Sequence, residues 1–250
     1  VINGMLASES RTALEFFDAE GKKTTVLRED IEEFVGTRKS LMPEGIEKEL
    51  NRQELTDLLE FLTQRGSFQP LDLREGATIA SDQALFSGGE RYIIPDWETQ
   101  TFNGVPFDVA DPQDGKVKNM IFLHGPLGSV SSKMPKRTSV KVGQPARAIH
   151  LLSGVSGWGY PYSRQQTTSM SVEIHYEDGT TEVTEFKNGQ HFADYIRRSD
   201  VPDSEFAFMV GPHQIRYLAI YPTKSLPIMR LEFVKGNDQT APMVLAATIE

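Results

Sequence analysis

Met170-Ser171-Val172-Glu173-Ile174-His175-Tyr176, closed by Glu177-Asp178-Gly179-Thr180 and continued by Thr181 through Phe186, is the stretch on which the fold turns. Met170, Val172, Ile174 and Tyr176 alternate with Ser171, Glu173 and His175. That period of two buries one face of a strand and leaves the other in water. Asp178-Gly179 between two such runs is a hairpin signal, because glycine reaches the positive φ of the turn without steric cost. The alternation recurs at Val140 and Val142 against Ser139 and Lys141, and Gln214 to Tyr221, Ile228 to Val234 and Met243 to Ile249 supply further strands. Short strands between Gly, Pro and Asn breaks, with no long helical pattern among them, predict an antiparallel sandwich or jelly roll from Trp97 onward. Ala77 to Phe86 reads as a first strand leading into it.

Working outward, residues 1–64 have a different character. They hold 14 Asp and Glu against 8 Lys and Arg, a local charge of −6 out of −9 for the chain. Ala13 to Phe17 and Thr24 to Leu27 read as strands around the turn Asp18-Ala19-Glu20-Gly21-Lys22. Asn51 with Glu54 three residues on is a capping-box pattern, and Leu55, Leu58, Leu59 and Leu62 follow at helical spacing up to Gln64. A hairpin and one helix bury little surface alone, so this leucine face implies a partner. Arg65-Gly66-Ser67, Pro70, Gly76 and Ser87-Gly88-Gly89 punctuate the stretch between the two regions. The expected organisation is therefore a small α+β segment over 1–64, a connector over 65–95, and a mainly β sandwich over 96–250.

Composition bounds the function. With 38% hydrophobic and 24% charged residues the 250-residue chain is globular. A net charge of −9 and a pI near 5.2 argue against a nucleic-acid partner, which calls for a basic patch. No apolar run reaches the length of a membrane span, and residues at the start lack the pattern of a signal peptide. There is no cysteine, so neither a disulfide nor a covalent C-x-x-C-H haem attachment can be drawn from the sequence.

Two resemblances sharpen this. Ile2-Asn3-Gly4, Glu20-Gly21, Arg28-Glu29-Asp30-Ile31, Ser40-Leu41-Met42-Pro43-Glu44-Gly45 and Glu54-Leu55-Thr56-Asp57-Leu58-Leu59 resemble the second half of the cytochrome c-like haem-binding domain found in large planctomycete-type multidomain cytochromes. The resemblance implies that Met42 is an axial haem ligand in an intact parent whose C-x-x-C-H lies upstream. It implies haem c there and a periplasmic or extracellular location; with no cysteine for the attachment, no haem is expected in this chain. Gly104-Val105-Pro106-Phe107 with Asp111-Pro112, Ala148-Ile149-His150-Leu151-Leu152, Gly157-Trp158-Gly159, Tyr176 to Thr180, Asn188-Gly189 and the closing Ala241 to Ile249 resemble the galactose-binding-like, NPCBM-like β-sandwiches attached to glycoside hydrolases and other secreted bacterial proteins. That second likeness covers about residues 97–250.

Candidate sites follow from residue chemistry. Trp158, Tyr160 and Tyr162 interleave with Gly157, Gly159 and Pro161, and a sugar ring offers such aromatics a flat apolar C–H face. Arg164, Gln165, Gln166 and His191 are the polar partners of this loop; the competing reading makes Trp158 a plug for the sandwich end. Asp108, Asp111 and Asp114, in a Gly- and Pro-punctuated loop, are hard oxygen donors for calcium, against the plainer reading of a solvated turn. His124, His150, His175, His191 and His213 show no H-x-x-x-H spacing, and His150 and His175 read as strand-face residues. No G-x-S-x-G elbow occurs and no carboxylate pair stands out. The expectation is a non-catalytic module binding carbohydrate or docking a neighbouring domain. The alternatives are a glycan-active enzyme with carboxylates on the sandwich, or a structural spacer.

Overall fold

A computed structural model of the chain describes residues 4–9, 13–18, 21–32, 34–36, 51–55, 68–87, 89, 91–94, 97, 99–157, 166–193 and 195–250. By internal contacts the chain divides into two compact units, Val1–Arg65 and Gly66–Glu250.

The first unit carries an antiparallel three-stranded meander: β1 (Met5–Glu9), β2 (Ala13–Phe17) and β3 (Lys23–Leu27). The β2–β3 turn closes with Asp18 N–H on the Lys22 carbonyl and Gly21 N–H on the Asp18 carbonyl, both 3.1 Å, with Gly21 at φ 78°. Asp18 Oδ1 also accepts from Lys22 N–H at 2.8 Å. The expected capping box is present. Asn51 Oδ1 accepts from the N–H groups of Gln53 and Glu54 at 2.9 and 3.0 Å, and Glu54 reaches back to Asn51 N–H at 2.8 Å. Leu55 is described in this first turn, whereas Met42, Leu58, Leu59 and Leu62 lie outside the described residues.

The second unit is the sandwich. Its strands are β4 (Gln69–Pro70), β5 (Thr99–Phe102), β6 (Val105–Asp108), β7 (Ile121–Phe122), β8 (Arg137–Gln144), β9 (Ile149–Ser156), β10 (Thr168–Tyr176), β11 (Thr181–Lys187), β12 (Glu205–Val210), β13 (His213–Ile220), β14 (Ile228–Lys235) and β15 (Ala241–Ile249). One sheet runs β11-β10-β14-β8; the other runs β12-β13-β9-β15-β4, with β7 also on β15. Every pairing is antiparallel. Take β4, β8, β9, β10, β11, β13, β14 and β15 as strands one to eight. The sheets then order as one-eight-three-six and two-seven-four-five, the double Greek key of a jelly roll with β12 added at one edge.

The deciding hairpin forms, with Val172 opposite Thr184 and Ile174 opposite Glu182. Its loop has three residues rather than two. Gly179 N–H bonds the Tyr176 carbonyl, Tyr176 N–H bonds the Thr180 carbonyl, and Gly179 takes φ 81°, a type I turn followed by a left-handed residue. A true two-residue turn joins β5 to β6, where Asn103 and Gly104 both have positive φ.

Between the sheets lies one core, including Leu151, Val155, Met170, Val172, Ile174, Phe186, Leu218, Leu231 and Phe233. A second core covers the outer face of the six-stranded sheet. It joins Leu152, Ile215, Met243 and Leu245 to Ile79, Leu85, Phe86, Tyr92, Phe107, Met120 and Phe122 from the preceding chain. Ala77 to Phe86 is therefore not a strand. Apart from an isolated Ile79–Met120 bridge it turns at Ala80–Gln83 and packs as cover. Residues 69–94, read as a connector, supply the first jelly-roll strand and much of this layer.

Buried Arg216 fastens the 199–204 segment to β13. It donates to Ser204 Oγ, the Ser204 and Ser199 carbonyls and Gln214 Oε1. Burial lowers its pKa, because those partners are neutral, while Asp200 pulls the other way. No helix among the described residues is long and apolar enough to cross a membrane.

Candidate binding cleft

Both walls of the cleft hang from the last strand. β4 pairs Pro70 with Thr248 and Gln69 with Ile249, and the Thr248 hydroxyl donates to the Pro106 carbonyl of the β5–β6 hairpin. The hairpin lies on an aromatic row: Phe102 and Phe107 stand 5.2 and 6.4 Å from the Tyr217 ring, which stacks on His150 at 5.8 Å. Tyr217 shares a 2.7 Å hydrogen bond with His150 Nδ1, and burial pushes its own pKa up to about 12, so the hydroxyl stays protonated. His150 Nε2 faces Glu250 at 3.5 Å.

Between these walls opens a cavity of about 610 Å³, within the range of small-molecule sites. Leu245 of β15 lines it, together with Pro70 to Arg74 on one side and Trp97, Thr99, Asp108, Val109, Ala110 and Asn119 on the other. Trp97 is half-buried and packs against the outer core. Asp72 caps the short 3₁₀ turn Leu73–Glu75 by accepting from Arg74 N–H at 3.0 Å. The Arg74 guanidinium returns as a fork, Nε to Oδ1 at 2.8 Å and Nη2 to Oδ2 at 2.6 Å. That fork holds the Asp72 carboxyl below the usual carboxylate range and raises Arg74 in turn. Across the cleft, the Thr99 hydroxyl donates to Asp108 Oδ1 at 2.8 Å on the last rung of the hairpin. Asn119 is buried and spent on the scaffold: its amide donates to the Ala110 carbonyl and Ser81 Oγ, and its oxygen accepts from Ser81 N–H.

Of the residues singled out in the sequence, Met42, Trp158, Tyr160, Tyr162 and Arg164 lie outside the described residues. His191 serves the scaffold: its Nδ1 accepts from Lys187 N–H at 3.1 Å and its ring abuts Phe186 at 5.3 Å. Burial lowers its pKa. Asp108 lines the cleft, but Asp111 and Asp114 do not join it in a shared donor set. Asp111 Oδ1 accepts from Gln113 N–H at 2.7 Å, and Asp114 sits at φ 54° in the turn that follows. Among the described residues, the group of three His, Asp or Glu ligand atoms within 4.8 Å of one another is Glu173, His175 and Glu232.

No motif in the sequence marks Trp97, Asp72 and Arg74 as a site. Arg74 follows Asp72 by two and Trp97 lies 23 residues further on, and the fold brings all three to one cavity.

No family model matches the chain, and no curated protein matches it. Among solved structures the chain is similar to the catalytic unit of a thermostable GH87 alpha-1,3-glucanase from Streptomyces thermodiastaticus strain HF3-3. The two align at 13% identity and a TM-score of 0.33, over 73% of this chain and 26% of that one. The chain thus spans about a quarter of that protein, and a superposition this loose carries no argument about activity.

Proposed function

We propose that the sandwich is a non-catalytic binding module whose ligand is a carbohydrate, taken in the cleft beside Trp97. The observation that carries this reading is the pairing of one indole wall with fixed polar groups, the Asp72–Arg74 fork and the Thr99–Asp108 pair, around a cavity of about 610 Å³. A sugar ring offers an apolar face to the indole and a rim of hydroxyls to such groups. Polar partners already held in place lose little entropy on binding.

The Arg74 fork sets Asp72 aside as a proton donor to a glycosidic oxygen. A glycosidase acid needs a raised pKa so that it holds a proton to deliver, whereas the Arg74 fork keeps Asp72 ionised. The loop of Trp158, Tyr160, Tyr162 and Arg164 is a second contact surface in this proposal. The likeness of residues 1–64 to a cytochrome c-like tail supports a parent that is exported and carries haem on Met42.

Titration of the intact chain against a panel of plant and algal polysaccharides, read by calorimetry, tests the assignment. Trp97→Ala is expected to weaken binding at least about tenfold, the scale of losing an aromatic anchor. Asp72→Asn should weaken it less, with the circular dichroism spectrum unchanged in both. A Trp97→Ala protein that binds like wild type removes the cleft from the proposal. Absence of binding across the panel transfers the sandwich to domain docking.

A further inference from the structure

The exposed face of the four-stranded sheet places two glutamates where they ought to repel. Glu173 of β10 stands directly opposite Glu232 of β14, and like charges at such a cross-strand position are destabilising. His175, two residues along β10 on the same face, puts Nε2 between them, 3.2 Å from Glu232 Oε2 and 3.5 Å from Glu173 Oε2. The three side chains are only 13–25% exposed and stand on the two central strands of the sheet, not on loops. We infer that Glu173, His175 and Glu232 form a binding site for a divalent first-row transition-metal ion, with zinc as its natural probe.

The spacing fits the ion. Zinc holds imidazole nitrogen and carboxylate oxygen at about 2.0–2.2 Å in tetrahedral array, which sets neighbouring donor atoms about 3.3–3.5 Å apart. The two separations here straddle that value before any ion is bound. One nitrogen and two carboxylate oxygens suit zinc and its neighbours, whereas calcium asks for six to eight oxygens. Three protein ligands leave the fourth position open on the sheet surface.

The surroundings serve the same end. Thr181 Oγ1 lies 3.1 Å from His175 Nδ1, so it can accept the ring proton once Nε2 is committed to the metal, the usual outer partner of a ligating histidine. Arg137 Nη1 holds the other Glu232 oxygen at 3.2 Å, fixing that carboxylate while leaving Oε2 for the ion. Arg230 competes with an ion for this group. Its Nη2 lies 3.3 Å from His175 Nδ1 and 3.8 Å from Glu232 Oε2. Its side chain is 45% exposed and can withdraw into solvent when the ion takes over as countercharge.

The test is calorimetric titration of the EDTA-treated, dialysed chain with Zn²⁺ at neutral pH, with Ca²⁺ as a parallel arm. One zinc per chain is expected, with a raised melting temperature and no response to calcium. Loading with Co²⁺ should give the intense visible bands of a tetrahedral site. His175→Ala and Glu173→Gln should each weaken zinc more than about tenfold, since even outer-shell changes cost that much, while His124→Ala leaves affinity unchanged. Circular dichroism checks the fold of each variant, and Glu173→Gln stands as the isosteric test if His175→Ala unfolds. No stoichiometric zinc, zinc binding retained in Glu173→Gln, or equal binding of calcium each overturns the assignment.

Discussion

The two sheets of the sandwich are made from similar strands and end in opposite surroundings. Along β10 the outward residues Ser171, Glu173 and His175 keep partial exposure, and β14 and then β8 turn Arg230, Glu232, Arg137 and Lys141 the same way. Along β9 and β15 every residue is buried. Strands covered on both faces read as near-continuous apolar runs, and Ile149-His150-Leu151-Leu152 and Met243-Val244-Leu245-Ala246-Ala247 are such runs. The few polar groups on those strands therefore need partners within the protein: His150 finds Tyr217 on the neighbouring β13, and Thr248 finds the Pro106 carbonyl of the covering hairpin. The uncovered sheet keeps its charges at the surface, and the covered one gains a cleft at the margin of its cover.

The sharpest way to break this contrast is to empty each core once. Phe107 in the cover and Phe233 between the sheets are both fully buried. Phe107→Ala and Phe233→Ala should each lower the unfolding free energy by about 3–5 kcal/mol, the usual cost of truncating a buried phenylalanine, measured by urea denaturation. A loss below about 1 kcal/mol for Phe107→Ala, set against that scale, would demote the cover to a loosely attached layer.

Proton linkage gives a gentler probe of the covered sheet. Burial holds the His150 imidazole below its ordinary 6.5, against the pull of Glu250. The unfolded chain then takes up the proton more readily than the folded one. This contribution to stability is complete above about pH 6.5, the unfolded histidine value, and is lost as pH falls from there through the lower folded value. His191, also depressed by burial, acts in the same direction. Urea midpoints should fall between pH 7.5 and 5.5, and His150→Gln should flatten part of the fall; an unaltered slope would mean that His150 is hydrated.

The smallest effect belongs to the ion pair between Lys141 of the exposed sheet and Glu75 beside the cleft, 2.6 Å apart with side chains 79% and 55% exposed. Lys141→Ala should move stability by no more than about 1 kcal/mol, and less in high salt.

The exposed sheet was the legible one, because an alternating face in water writes its polarity into the sequence, as Met170 to Tyr176 does. The Asn51–Glu54 cap was legible for a similar reason, since both partners lie within one turn of chain. The cover was not. Ala77 to Phe86 has the apolar content of a strand, but its partner is the outer face of β15, an association made at long range and invisible to periodicity. Asn103-Gly104 was a readable hairpin signal that the Asp178-Gly179 turn overshadowed. The cleft and the Glu173–His175–Glu232 group share one reason for escaping notice: each needs a partner from a distant strand. Only the Glu-x-His spacing on β10 hinted at the second.

The pairing of β4 with the end of β15 has a mechanical consequence. Gln69 lies opposite Ile249, so the chain enters and leaves the sandwich at the same end of one antiparallel ladder. Tension applied across those two points would open the β4–β15 rungs one after another, as a zipper opens, and would not load them all in shear. The other strands of the sandwich would stay intact while β4 peeled away with the wall that holds Asp72 and Arg74. A pull on the flanking chain would therefore be felt first as the loss of one side of the cleft.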